Sequence, residues 1–206
     1  MTSATRSGPR AKPSAGDVRI AAVAVPVWFG FFALTPGLFA NGPGALLSDD
    51  IDLRLIAETV LVVVLTVALT LVFRRESRNL FARGRMMWCF ALPAAALVAL
   101  PFHYALPRPL LLYVVWMAAS VLWQDYLTFG LLQTFLRRIL PGWGSVLGVG
   151  VLFMCVHLVY LPERFFSPLP ALAMLILGAV LALLRSWTGT LHVVLALHLS
   201  FYYLFA

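Results

Sequence analysis

Residues 110–138 read LLLYVVWMAASVLWQDYLTFGLLQTFLRR. The run is apolar for longer than the roughly 20 residues a helix needs to cross a bilayer. It closes on Arg137 and Arg138, and it carries Asp125 near its middle. A carboxylate in hydrocarbon is expensive and marks function by default. This one stretch therefore predicts both a membrane-spanning helix and a buried polar site on it.

The rest of the chain repeats the same character. Of 206 residues, 62% are hydrophobic and 11% charged. That is less than half the charged fraction of an ordinary soluble domain, about 25%. Continuous apolar runs, without period-two alternation, exclude a membrane β-barrel. The predicted fold is all-α, a polytopic transmembrane bundle of about seven spans. The spans are expected near residues 20–40, 53–73, 86–106, 110–136, 144–161, 168–184 and 188–205. Residues 1–19, rich in Ser, Gly, Pro and basic residues, read as a disordered cytoplasmic tail. Residues 20–206 form one transmembrane domain, with the polar-site core at 110–206. The first span reads as an uncleaved anchor, because no small-x-small cleavage site follows its long apolar run. Gly144, Gly148 and Gly150 suggest that the fifth span packs closely on a neighbour.

The net charge of +7 does not indicate nucleic acid, because the basic residues follow membrane topology. Twelve of the fifteen fall on one side of the seven spans, among them Arg74, Arg75, Arg78, Arg83, Arg85, Arg137, Arg138 and Arg185. Arg54, Arg108 and Arg164 fall on the other. The positive-inside rule then places the N-terminus in the cytoplasm. The expected location is a bacterial cytoplasmic membrane. Cys89 and Cys155, both in apolar segments, read as buried small hydrophobes.

Asp125 has company at its own depth. It lies twelve residues before Arg137, about 18 Å from that edge at the helical rise. His157 lies fourteen residues after Trp143, about 21 Å, and His198 thirteen after Arg185, about 20 Å. The segment of Asp125 runs opposite to those of His157 and His198, so the agreement is not imposed by spacing. A carboxylate and two imidazoles can hold water, take its proton and stabilise an oxyanion. Such a group suits hydrolysis or proton relay. His103, near the outer surface, and His192, on another face of the His198 helix, are weaker candidates.

The segment around Asp125 resembles the first motif of the CAAX protease and bacteriocin-processing family of intramembrane proteases, Glu-Glu-x-x-x-Arg followed by Gly. Gln124 and Asp125 occupy the two Glu positions, Phe129 the Arg position, and Gly130 keeps the Gly. The second motif, Phe-x-x-x-His, is intact as Phe153 to His157. The third, His-x-x-x-Asn, survives as His198 with Tyr202 replacing Asn. The resemblance runs from about residue 110 to the end. It implies an endopeptidase acting on a membrane-anchored protein or peptide, with His157 positioning water and His198 binding the oxyanion. Gln124 cannot act as a base, and Phe129 cannot pair with an acid at 125. Asp125 is therefore expected either to serve as general base or to mark lost hydrolysis, with Tyr202 and Thr128 as possible polar partners.

Two other readings compete. A catalytically silent relative would bind or escort a membrane partner, as the changes at 124 and 129 allow. A small proton-coupled transporter would favour inverted repeats, and none is evident. Two His and one carboxylate can in principle bind zinc, but no His-Glu-x-x-His helix is present. The expectation is chemistry without a cofactor.

Overall fold

The computed structural model describes residues 13–206. The described chain is all-α, a polytopic helical bundle, with no strand among the described residues. Among the described residues six helices are long and apolar enough to cross a membrane, and a seventh, shorter apolar helix follows them. The helices are α1 (Ala15–Phe32), α2 (Ile51–Val72), α3 (Arg74–Leu80), α4 (Ala91–Ala99), α5 (Leu110–Asp125), α6 (Gln133–Ile139), α7 (Gly142–Tyr160), α8 (Pro162–Phe165), α9 (Pro168–Thr188) and α10 (His192–Leu204). Tight 3₁₀ turns extend α4 at both ends, so that Arg85–Phe102 forms one apolar span.

The first span begins earlier than hydropathy predicts. Ser14 caps α1 reciprocally with Asp17: the Asp17 amide donates to Ser14 Oγ, and the Ser14 amide and hydroxyl donate to Asp17 Oδ2. This places residues 15–19 in a helix and shortens the expected tail. Residues 1–12 of that tail lie outside the described residues. At its other end α1 stops at Phe32, and the apolar residues beyond it fold into a loop reaching to 50.

That loop is held by a buried carboxylate. Glu58 on α2 is 4% exposed. Its Oε2 accepts from the Gly37 amide at 2.8 Å, and its Oε1 from the Gly44 amide at 3.0 Å. Gly37 has φ +73°, and a Cβ there would meet the Trp116 ring at 2.5 Å. Trp116 in turn donates to the Pro36 carbonyl at 2.8 Å. Removing Glu58 leaves two amides without acceptors, at about 1–3 kcal/mol each. Glu58→Ala is therefore expected to lower the unfolding midpoint in detergent and to make the 33–50 loop sensitive to protease. An unchanged melt and an uncut loop would show that the clamp carries no load.

The central element is α5 and α6 joined through residues 126–132, a 30-residue helix from Leu110 to Ile139. Its most apolar stretch is more than half buried, against a third or less for the other spans. Side chains such as Val60, Val63, Val64, Val67 and Leu71 on α2 are exposed and apolar, as a lipid-facing surface requires. Residues Tyr126–Leu132 form π-helical turns that start immediately after Asp125. Such insertions into an α-helix occur often at functional sites. Here the wider turn alters the face relation between Asp125 and the residues that follow it.

The pair α7 and α9 makes the most extensive contact in the bundle. A Cβ on Gly178 would meet Phe153 Cβ at 2.9 Å and Gly150 Cα at 3.1 Å. Close packing thus centres on Gly150 with Gly178. Gly144 and Gly148 instead approach Pro141 and Leu140 of the preceding turn. Both cysteines are unpaired and half-buried.

Candidate active site

Asp125 is the last residue of α5 and fully buried. His198 sits in the middle of α10, 9% exposed. The His198 Nδ1–H donates to Asp125 Oδ1 at 2.9 Å. This bond fixes the ring, leaving Nε2 as its remaining nitrogen. Asp125 Oδ2 is buried and has no hydrogen-bond partner among the described residues. The Tyr202 ring stacks on His198 at 5.3 Å and 29°, and Tyr202 lies within electrostatic reach of Asp125.

His157 comes from the last turn of α7, three residues before that helix ends at Tyr160. Its Nδ1 meets the Phe153 carbonyl at 2.7 Å. A carbonyl only accepts, so Nδ1 carries the hydrogen and Nε2 is left with a lone pair. The ring is boxed by Phe153 at 4.4 Å, Phe165 at 5.3 Å and Phe32 at 5.7 Å. His157 and His198 lie within electrostatic reach of each other. The structure thus joins Asp125 directly to His198 and sets His157 alongside, with Nδ1 committed to its own helix.

The remaining candidates divide. Gln124 is buried beside Asp125, at 8% exposure, and makes no side-chain hydrogen bond among the described residues. Thr128 does not serve Asp125: its hydroxyl accepts from Trp28 Nε1 at 3.0 Å, on the side of the helix facing α1. Phe129 is fully buried against Phe153 at 5.6 Å. His103 bonds the Ala99 and Tyr203 carbonyls, and His192 the Ala82 carbonyl, so both are structural. Among the described residues no three His, Cys, Asp or Glu side chains group as metal ligands.

Sequence reasoning missed two kinds of residue here. Glu58 is a second buried carboxylate in a span, visible in the second apolar run but passed over; its partners assign it to the loop. Phe32 and Phe165 border His157 from segments whose placement hydropathy does not encode. An apolar cavity of about 500 Å³ lies elsewhere, between α1, α2 and the π-helical turns. Trp28, Phe31, Leu127, Leu131 and Phe135 line it. It contains none of Asp125, His157 and His198.

Residues 106–204 match a family model described as Type II CAAX prenyl endopeptidase Rce1-like. Over these residues, just under half of the chain, it is similar to the CAAX protease and bacteriocin-processing family. The matched region carries all three motif helices: α5 with its π-helical extension, α7 and α10. No curated protein and no solved structure matches the chain. At family level the likeness is to intramembrane proteases, and the apolar helices support an integral membrane protein.

Proposed function

We propose that this chain is an active endopeptidase that hydrolyses a membrane-anchored protein or peptide through the Asp125–His198 pair. The observation that supports this most is the 2.9 Å bond between the two side chains. In the family pattern the acid takes the proton and His198 binds the oxyanion. The direct bond favours another division of labour. A carboxylate that holds Nδ1–H fixes the tautomer and stabilises the imidazolium that forms when Nε2 accepts a proton.

The steps follow from that. Water donates one hydrogen bond to His198 Nε2 and another to His157 Nε2. His198 takes a proton as the water oxygen bonds to the scissile carbonyl carbon. The carbonyl π pair moves onto oxygen, and the Tyr202 hydroxyl, one turn beyond His198, donates to that oxyanion. His198 returns its proton to the amide nitrogen as the C–N bond breaks. The products are a carboxylic acid and an amine, and the imidazole is neutral again. Gln124 can orient water but cannot take its proton.

The test is direct. Protein co-reconstituted with membrane-anchored peptides should release fragments detectable by mass spectrometry, and the His198→Ala protein should not. A wild type that binds such peptides but never cuts them would favour the silent-relative reading.

The orientation proposed is N-terminus in the cytoplasm, with the arginine-rich end inside. His157 then sits three residues from the outer end of α7, and the scissile bond lies nearer the outer face. Reporter fusions after Arg85 and after Arg138 should both give cytoplasmic signals. An external signal from either would overturn this topology.

A further inference from the structure

The apolar cavity of about 500 Å³ stands apart from the site, with α1 as the wall between them. On one side of that wall Val23, Val27, Trp28 and Phe31 line the cavity. On the other, Phe32 borders His157, and the Phe29 carbonyl accepts from the Tyr160 hydroxyl of α7 at 2.9 Å. The opposite wall comes from α2, the π-helical turns and α6, through residues such as Leu69, Leu131 and Phe135.

The charged residues of the lining gather at one end. Arg19 lies in the first turns of α1, Glu76 on α3 and Arg138 in the last turn of α6. From Arg19 to Phe31 the wall runs twelve residues along α1, about 18 Å at the helical rise. The cavity is therefore a slot along the helices, apolar in its length and ionic at its mouth. It opens sideways to hydrocarbon, because Ile20, Val23 and Val27 are exposed as well as lining. At the mouth, Arg138 bonds Glu76 at 3.2 Å and lies within electrostatic reach of Asp17. Arg19 is exposed and has no ion-pair partner among the described residues. Arg74, Arg75 and Arg78 share the short helix of Glu76, so positive charge is in excess there. A slot of this kind matches an amphiphile with an apolar chain and an acidic head. A zwitterionic lipid would fit the slot but would bring its own cation to the arginines.

We propose that the cavity binds one acyl chain of an anionic phospholipid, with the lipid phosphate on Arg19 and Arg138. The lipid comes from the leaflet at the arginine-rich end of the bundle. Trp28 connects this site to the chemistry. It lines the cavity, donates to Thr128 three residues beyond Asp125, and stands 5.7 Å from the Phe32 ring. An occupant of the slot thus bears on the turns after Asp125 and on the box around His157. Binding itself does not rest on the peptidase reading.

The test is native mass spectrometry of the full-length protein, titrated in detergent with phosphatidylglycerol or with phosphatidylcholine of the same chains. The wild type should retain one phosphatidylglycerol about tenfold more tightly than phosphatidylcholine. Arg19→Gln combined with Arg138→Gln should erase that preference and leave phosphatidylcholine retention unchanged. Ala24→Phe, which fills the slot from α1, should remove retention of both lipids. Should that variant melt early without lipid, Val27→Trp, at a lining position exposed to hydrocarbon, takes its place. Absent or equal retention of the two lipids by the wild type would overturn the proposal. So would a preference that survives loss of both arginines, which would place the head on the Arg74–Arg78 run. Retention that survives filling of the slot would mean adsorption to the outer surface only. Displacement of phosphatidylglycerol, mole for mole, by an N-palmitoylated peptide would assign the slot to a substrate's anchor, and dimers that retain no lipid would assign it to a second copy of the chain; either result excludes the lipid site.

Discussion

Asp125→Asn is expected to lower kcat/KM by about 10³–10⁴ while the protein still inserts and melts normally. The magnitude is that of losing a carboxylate that fixes a catalytic imidazole in its working tautomer. Asn is close to Asp in shape, and its carbonyl oxygen can still accept from a ring nitrogen, so packing around the fully buried residue survives. It cannot stabilise an imidazolium in the same way. His198→Ala should cost at least as much, because it removes the proton acceptor itself. The double variant should be little worse than His198→Ala alone, since two groups that act as a unit do not contribute additively. Gln124→Ala should cost far less. The measurement is single-turnover cleavage of a reconstituted peptide, with a melt on each variant. Wild-type cleavage by the Asp125→Asn protein would refute this mechanism while leaving the family likeness intact. Additive losses in the double variant would point back to Asp125 and His198 acting separately, as the sequence alone suggests.

Particular residues explain why much of this is legible in the sequence. Asp125, His157 and His198 stand out because titratable groups are rare in apolar runs, and helical rise converts their positions into depth. Depth alone does not say which two will touch. Rotation about each helix axis decides that, and it is set by packing such as Gly178 against Phe153. The π-helical turns after Asp125 leave no mark in hydropathy, because an apolar segment reads alike in either helix form. The first span departs from its expected bounds for a related reason. Leu34, Leu38 and Phe39 continue the apolar run, while the interactions that shape the loop, from Glu58 and Trp116, arrive from distant segments. Thr128 has the one-turn spacing of a partner for Asp125, yet Trp28 claims it across the interface with α1.

Phe129→Arg is expected to abolish the fold rather than to restore the family pattern. In the first motif an arginine follows the acid by four residues, at a spacing suited to an ion pair on one α-helical face. Here that relation is gone. The segment after Asp125 is π-helical, Asp125 already serves His198, and residue 129 is packed on Phe153 with no exposure. A guanidinium placed there would be a buried charge without a partner, at a cost of about 3–5 kcal/mol, comparable with breaking a buried ion pair. It would also displace the ring that supports Phe153, whose carbonyl holds His157. The variant should accumulate poorly in membranes and melt early in detergent, whereas Phe129→Leu should accumulate and retain measurable cleavage. A Phe129→Arg protein that folds and cuts as well as wild type would mean that the introduced guanidinium reaches Asp125 after all. It would also mean that the pairing of Asp125 with His198 can be exchanged for the ion pair that the family motif encodes.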